Sequence, residues 1–140
     1  MKILEILTEK RKIGNFGERA AAKFLRKKGY KILKTNYSLP GYEIDIIAEN
    51  RDTLAFVEVK TRSTSSSIEP RPASSVTPEK QRKIISAAAY FLAARKNEKH
   101  VSLDVVEVYI EKKEGGKPRV LEIKHLENTF NKNTATKRKY

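Results

Sequence analysis

The chain has 140 residues, 39% apolar and 34% charged, enough for one packed core under a heavily charged surface. It contains no cysteine, which excludes disulfides, thiolate metal sites and cysteine nucleophiles. Its 30 Lys and Arg against 17 Asp and Glu leave a net charge of +13, which favours partners rich in phosphate, either nucleic acid or an anionic membrane.

Residues 1–12 read as an N-terminal extension. Ile3, Leu4, Ile6 and Leu7 form a short apolar patch broken by Glu5. That is no secretory h-region, and no run approaches the ~18 apolar residues of a membrane span. Together with the missing cysteines, this gives a cytoplasmic expectation.

Helical periodicity begins at Ile13 and runs to Lys28, with Gly17, Ala20, Ala21, Phe24 and Leu25 on one face. Glu18 falls at the rim of that face, and Gly29 is the expected stop. Tyr30–Tyr37 is a predicted strand, followed by the turn signal Leu39-Pro40-Gly41. Glu43–Glu49 is a second strand, with Glu43, Asp45 and Ile47 alternating against Ile44, Ile46 and Ala48. Leu54–Thr61 is a third, with Phe56, Glu58 and Lys60 on one face and Val57 and Val59 on the other.

A polar loop rich in Ser, Thr and Pro covers Thr61 to Pro78. Thr77 is the expected N-cap and Pro78 the first residue of a helix running to about Lys96. Val101–Glu111 and Arg119–His125 are two further strands, joined by a turn through Gly115-Gly116-Lys117. The order α-β-β-β-α-β-β predicts a single α/β domain over 13–126, a central mixed sheet flanked by helices. Residues 127–140 read as a basic, flexible polar tail. It carries Lys137-Arg138-Lys139, but the rest of the chain is strongly basic without it.

The chemistry is concentrated on the second and third strands. Asp45 and Glu58 sit among Ile, Val and Phe, where burying a carboxylate is costly unless something pairs with it. An even-numbered connection puts both on one face, and a two-residue turn at Arg51-Asp52 puts them directly opposite. An odd connection separates them. Lys60 lies on the Glu58 face. Carboxylate oxygens are hard ligands suited to Mg²⁺, with Mn²⁺ as an alternative. Such a cation beside an ammonium group suits phosphodiester hydrolysis.

Asp45 followed by Glu58-Val59-Lys60 resembles the signature of the PD-(D/E)XK nuclease superfamily. The wider pattern resembles the YraN-type family of uncharacterised small bacterial proteins. It comprises Gly14-Asn15-Phe16-Gly17-Glu18, Gly29-Tyr30, Asn36-Tyr37, Glu43 to Ala48, Phe56 to Arg62 and Leu103 to Val106. The order of parts is also similar to archaeal Holliday-junction resolvases.

The resemblance implies a restriction-endonuclease-like fold and cleavage of DNA, rather than RNA, at branched or otherwise structured sites. It implies Asp45, Glu58 and Glu18 as metal ligands and Lys60 as the group that positions water or stabilises the transition state. It also implies a Gln or Lys of the second long helix facing the site, here Lys80 or Gln81, and a homodimer. Glu43 shares the face of Asp45 but begins its strand, so Asp45 is preferred. Two positions depart from the family pattern. Tyr42 replaces a glycine, which alters access to the site, and Ser102-Leu103-Asp104 replaces Arg-Phe-Asp, which removes a positive charge.

Arg62, Lys80, Gln81, Arg82 and Lys83 are the expected nucleic-acid contacts. Lysines at a helix start oppose the macrodipole, which makes phosphate a fitting neighbour, although a solvated helix start explains them too. His100 and His125 lack the spacing of a zinc pair. Tyr30, Tyr37, Tyr42 and Phe56 fit either core packing or base stacking. Two other readings stand beside the nuclease. One is a binding module with a vestigial acidic site; the other is a basic surface that docks on an acidic protein or anionic lipid.

Overall fold

Leu54, Ala55, Phe56 and Val57 are all fully buried. A continuous apolar run of this kind is what a strand covered on both faces requires. In the computed structural model, which describes residues 2–63, 76–113 and 115–131, it lies at the centre of a mixed sheet.

The elements are α1 (Ile3–Lys27), β1 (Lys31–Leu39), β2 (Tyr42–Glu49), β3 (Thr53–Ser63), α2 (Pro78–Ala93), β4 (His100–Glu111) and β5 (Arg119–Leu126). The five strands lie in sequence order. β3 and β4 run parallel, bridged by α2, and the other neighbours are antiparallel. α1 covers one face, where Ala21, Ala22 and Leu25 pack with Ala55, Val57, Val106 and Val108. α2 covers the other, where Ile84, Ala87 and Ala88 pack with Leu54, Phe56 and Val105. This is the expected α/β architecture.

The turn signals act as expected. Gly29 takes a φ of +102°. Tyr30 N–H then donates to Leu25 O at 2.9 Å and Gly29 N–H to Arg26 O at 3.1 Å, the paired bonds of a Schellman stop. Pro40-Gly41 joins β1 to β2, with Leu39 paired to Tyr42 and Gly41 at φ +88°. The β2–β3 connection closes through Asn50 N–H to Thr53 O at 2.9 Å. Asn50 Oδ1 also accepts from Asp52 N–H at 3.1 Å and Thr53 N–H at 2.8 Å. Arg51 and Asp52 are thus the two turn residues. Thr77 Oγ1 caps α2 by accepting from Lys80 N–H at 3.2 Å.

Three boundaries differ from expectation. α1 begins at Ile3 and so absorbs most of the N-terminal extension. Ile3, Leu4 and Leu7 stay more than half exposed there, so those turns carry no core-facing stripe. α2 ends at Ala93, short of Lys96. The chain then folds back, and Arg95 and Lys99 reach Glu49 at 2.8 and 3.2 Å. After β5 the chain stays attached: Thr129 N–H donates to Leu103 O at 2.8 Å, and Phe130 is buried in the α2-side core. Residues 64–75, most of the polar loop, lie outside the described residues, as do 132–140 with Lys137-Arg138-Lys139.

α1 meets β3 at a point of close approach. A Cβ on Gly17 would collide with Thr61 Oγ1 and stand 2.9 Å from Thr61 Cβ. Rotating Thr61 relieves the first contact but not the second. Gly17→Ala is therefore expected to destabilise the fold by a net ~1–2 kcal/mol, overpacking outweighing the better helix propensity. Urea denaturation checks this, and undiminished stability would refute the contact. Glu18 is the next residue, so the same contact bears on where its backbone stands relative to β3.

Candidate functional site

The β2–β3 ladder ends at the pair Ile46 and Val57. One step further, the same register puts Asp45 opposite Glu58, as the two-residue turn requires. The backbones part there, and Asp45 Oδ2 accepts the Val59 N–H at 2.8 Å. The carboxylate has taken the place of a ladder carbonyl. Ile44 also leaves the expected alternation as β2 diverges: it packs in the α2-side core with Ile47.

Glu58 is buried and held at both oxygens. Lys60 Nζ lies 3.4 Å from Oε1. The Tyr42 hydroxyl donates to Oε2 at 2.9 Å. Burial and the adjacent Glu58 charge push the Tyr42 hydroxyl pKa upward, so it remains a donor. Tyr42 thus lays its phenol against the Glu58 carboxylate. Lys80 comes in from α2 beside Lys60. The Lys60 charge is the main reason the Lys80 ammonium pKa is lowered, with burial second.

Glu18 arrives from α1 and Glu43 from the start of β2. Carboxylate oxygens of Glu18, Glu43 and Asp45 all lie within 4.8 Å of one another. Glu43, set behind Asp45 on sequence grounds, is therefore part of the cluster. Asn36 joins two of these acids: its Nδ2 donates to Glu18 Oε2 at 3.0 Å and to Glu43 Oε1 at 2.9 Å. Ser38 Oγ donates to Glu43 Oε2 at 3.1 Å. Asn36 makes its bridge from a left-handed backbone, φ +49°, in the middle of β1. The available signal was the Pro40-Gly41 turn, because a two-residue hairpin there sets Ser38 against Glu43 and Asn36 against Asp45.

So many acids in one place perturb each other. The Asp45 carboxyl is raised to about 7, first by burial and then by the Glu58 charge, with smaller pushes from Glu18 and Glu43. The Val59 N–H works against the rise. Such a cluster is relieved by a proton or by a cation. Its donors are carboxylate oxygens with no His or Cys among them, which fits a hard divalent ion such as Mg²⁺ or Mn²⁺.

The remaining expected contacts divide. Lys83 and Arg82 line a groove between the β1–β2 hairpin and α2. Gln81 is buried and its amide donates to Val76 O at 2.8 Å, which places it under the start of α2. Arg62 Nε turns toward Glu107 Oε2, 3.7 Å away on β4.

A second buried polar group was not anticipated. Asp104 is fully buried and accepts from His125 Nε2–H at 2.8 Å, from the Asn128 N–H at 2.9 Å and from Ser102 Oγ. Lys28 Nζ lies 2.7 Å from His125 Nδ1. An ammonium can only donate, so Nδ1 accepts and the imidazole proton sits on Nε2. Burial works to raise the Asp104 pKa. The hydrogen bonds from His125, Ser102 and Asn128 outweigh it and hold the carboxyl below its usual range. Nearby, Tyr30 is pushed up to about 12, first by burial and then by the Asp104 charge. In this chain Ser102 and His125 both hydrogen-bond Asp104.

Among the described residues, no helix is long and apolar enough to cross a membrane. Comparison with known proteins matches residues 17–108 to a family described as "Uncharacterised protein family UPF0102". A UPF0102 protein of Chlorobium phaeobacteroides is 43% identical over 119 residues, 84% of this chain and 93% of the relative. One of Clostridioides difficile is 41% identical over 118 residues, 84% of this chain and 95% of the relative. One of Desulfosudis oleivorans is 51% identical over 87 residues, 62% of this chain and 69% of the relative. The match runs from the helix that carries Glu18 through the strand that carries Asp104, and this chain belongs to the UPF0102 family, the YraN-type family its motifs resemble.

Proposed function

We propose that this protein is a divalent-cation-dependent endonuclease that hydrolyses DNA phosphodiesters, with branched or otherwise structured DNA as its substrate. The observation that carries the reading is the meeting of Glu18, Glu43 and Asp45 within 4.8 Å, beside a Glu58 carboxylate flanked by the Lys60 ammonium at 3.4 Å. Asp45, Glu58, Glu18 and Glu43 are the residues that would hold the cation. When bound, it supplies Lewis-acid chemistry, lowering the pKa of water and neutralising charge on the phosphate.

The side chains have separate tasks. Asp45 must give up any proton it holds before it can act as a ligand, and its carboxyl near 7 makes that step sensitive to pH. Lys60 donates hydrogen bonds toward the attacking water or the phosphate oxygens. Lys80, beside it, adds a second positive charge facing the same polyanion. Tyr42 holds one Glu58 oxygen while Lys60 faces the other. The basic surface draws the nucleic acid to the site.

The test is cleavage of labelled duplex, single-strand, flap, four-way-junction and RNA substrates with Mg²⁺, Mn²⁺ or EDTA, alongside Glu58→Ala and Lys60→Ala. Products that require the metal and vanish in both variants are expected. Products that persist in EDTA or in Glu58→Ala refute the proposal.

A second reading, a nucleic-acid-binding module with a vestigial site, is favoured by one observation. Both Glu58 oxygens already have partners, Tyr42 and Lys60. Salt-sensitive, metal-independent binding that Asp45→Ala leaves intact, with no products from any substrate, would establish it.

A further inference from the structure

We propose that the groove between the β1–β2 hairpin and α2 is a binding site for an unpaired nucleotide, one belonging to the strand presented to the acidic cluster; the second clause rests on the hydrolase reading above. The groove encloses about 640 Å³, within the ~300–1,000 Å³ typical of ligand sites. Its walls are Leu39, Pro40 and Tyr42 on the hairpin and Arg82, Lys83 and Tyr90 on α2.

Three features point to a nucleotide. Tyr90 is 63% exposed, an aromatic ring on the wall of an apolar groove. One exposed tyrosine alone would mean little. Here it shares the groove with Leu39 and Pro40 of the hairpin, so a flat apolar group would meet apolar surface from both elements. A base offers such a face only when it is out of the duplex stack.

The second feature is charge. Arg82 and Lys83 border the same groove, where the phosphates flanking an inserted base would run. Glu79 is also at its edge, 3.7 Å from Lys83 Nζ. That is an exposed pair on one helix face, of the kind that contributes little and yields readily to a phosphate.

The third is location. Tyr42 is shared: its ring lines the groove, and its hydroxyl is 2.9 Å from Glu58 Oε2. One side chain therefore separates the groove from the candidate metal ligands. A strand seated on Tyr90 and running past Tyr42 leads toward the acidic cluster. A substrate with single-stranded character at the cleavage point fits this arrangement, and a blunt, fully paired duplex does not use the groove.

The experiment measures binding by the full chain, in EDTA, of a labelled oligothymidine strand and of a blunt duplex of equal length. Tyr90→Ala is expected to weaken strand binding by roughly tenfold, as loss of one base stack does, and to leave duplex binding unchanged. Tyr90→Phe should restore strand binding. Tyr90 is exposed, so these variants keep the fold, which a thermal melt verifies. Equal strand binding by wild type and Tyr90→Ala overturns the proposal, as does an equal loss on strand and duplex. Self-association that Tyr90→Ala abolishes, with strand binding untouched, would assign the groove to a second copy of the chain and likewise overturn it.

Because no metal is present, the outcome is separable from cleavage. Strand binding that depends on Tyr90 in a protein that never cuts upholds the groove and refutes the hydrolase. Metal-dependent cutting that ignores Tyr90 does the reverse.

Discussion

Asp45→Asn is expected to raise the stability of the protein at pH 8 while removing its response to divalent cations. The wild-type carboxyl sits at about 7 in the folded chain, against 3.8 for an ordinary aspartate. Below pH ~4 it is protonated in both folded and unfolded chains and contributes nothing. Between pH ~4 and ~7 the unfolded chain has released the proton and the folded chain has kept it. Stability therefore falls as pH rises through that window, and above it the cost is constant.

The full shift corresponds to about 4 kcal/mol, of which a partly solvated cluster retains ~2–4. Asparagine keeps an acceptor for the Val59 N–H and removes the charge. The melting temperature at pH 8 in EDTA should rise by roughly 5–10 °C, and the difference should shrink toward zero near pH 4. Mg²⁺ or Mn²⁺ should raise the wild-type melting temperature by mass action and leave the variant unmoved. Coincident melts at pH 8 would show that the cluster is not under electrostatic stress.

Asp104→Ala should have the largest effect of opposite sign. Removing one partner from a buried pair costs about 3–5 kcal/mol, because the others keep their desolvation without their bonds. Here the stranded donors are His125 Nε2–H and Ser102 Oγ–H, and the Asn128 N–H is left with Ser102 Oγ at 3.1 Å alone. Domains of this size are stable by only ~5–15 kcal/mol, so the variant should unfold at much lower urea. Amides near Phe130 should lose hydrogen-exchange protection with it, since Asn128 is one of the points where that segment is tied down, beside the Thr129 N–H bond to Leu103 O.

The pH dependence runs opposite to that of Asp45. A carboxyl held below its usual range contributes stability above its unfolded pKa, and that contribution is lost as pH falls through the folded value. The difference between wild type and Asp104→Ala should thus narrow in acid. A loss below about 1 kcal/mol at neutral pH would contradict the assigned role.

Much of this architecture was legible because its punctuation is local. Pro40-Gly41, Asn50 to Thr53, Thr77-Pro78 and Gly29 each set a boundary through residues within a few positions of one another. The opposition of Asp45 and Glu58 hung on the length of one such turn, and two residues there put them face to face. What lay beyond reach depended on distant partners. Glu43 joins the cluster because Asn36 and α1 meet it, and the β1 register carries a shift between Ile32 and Lys34 that no pattern announces. His125 finds Asp104 through a β4–β5 pairing that slips between Tyr109 and Ile110. The first turns of α1 escaped notice because an exposed helix needs no apolar stripe.

Position 36 also restricts which amino acids the site can accept. Its backbone, at φ +49°, admits glycine readily and asparagine or aspartate at modest cost, and disfavours most other side chains. Its neighbours require a side chain with two N–H bonds to share between Glu18 and Glu43. Glycine meets the first demand and fails the second. Aspartate fits the backbone but would add one more negative charge to a cluster already crowded with them. Glutamine and lysine could donate, but they do not settle in that conformation. Asparagine meets both demands with a short side chain, so most random replacements at position 36 should weaken the bridge between Glu18 and Glu43.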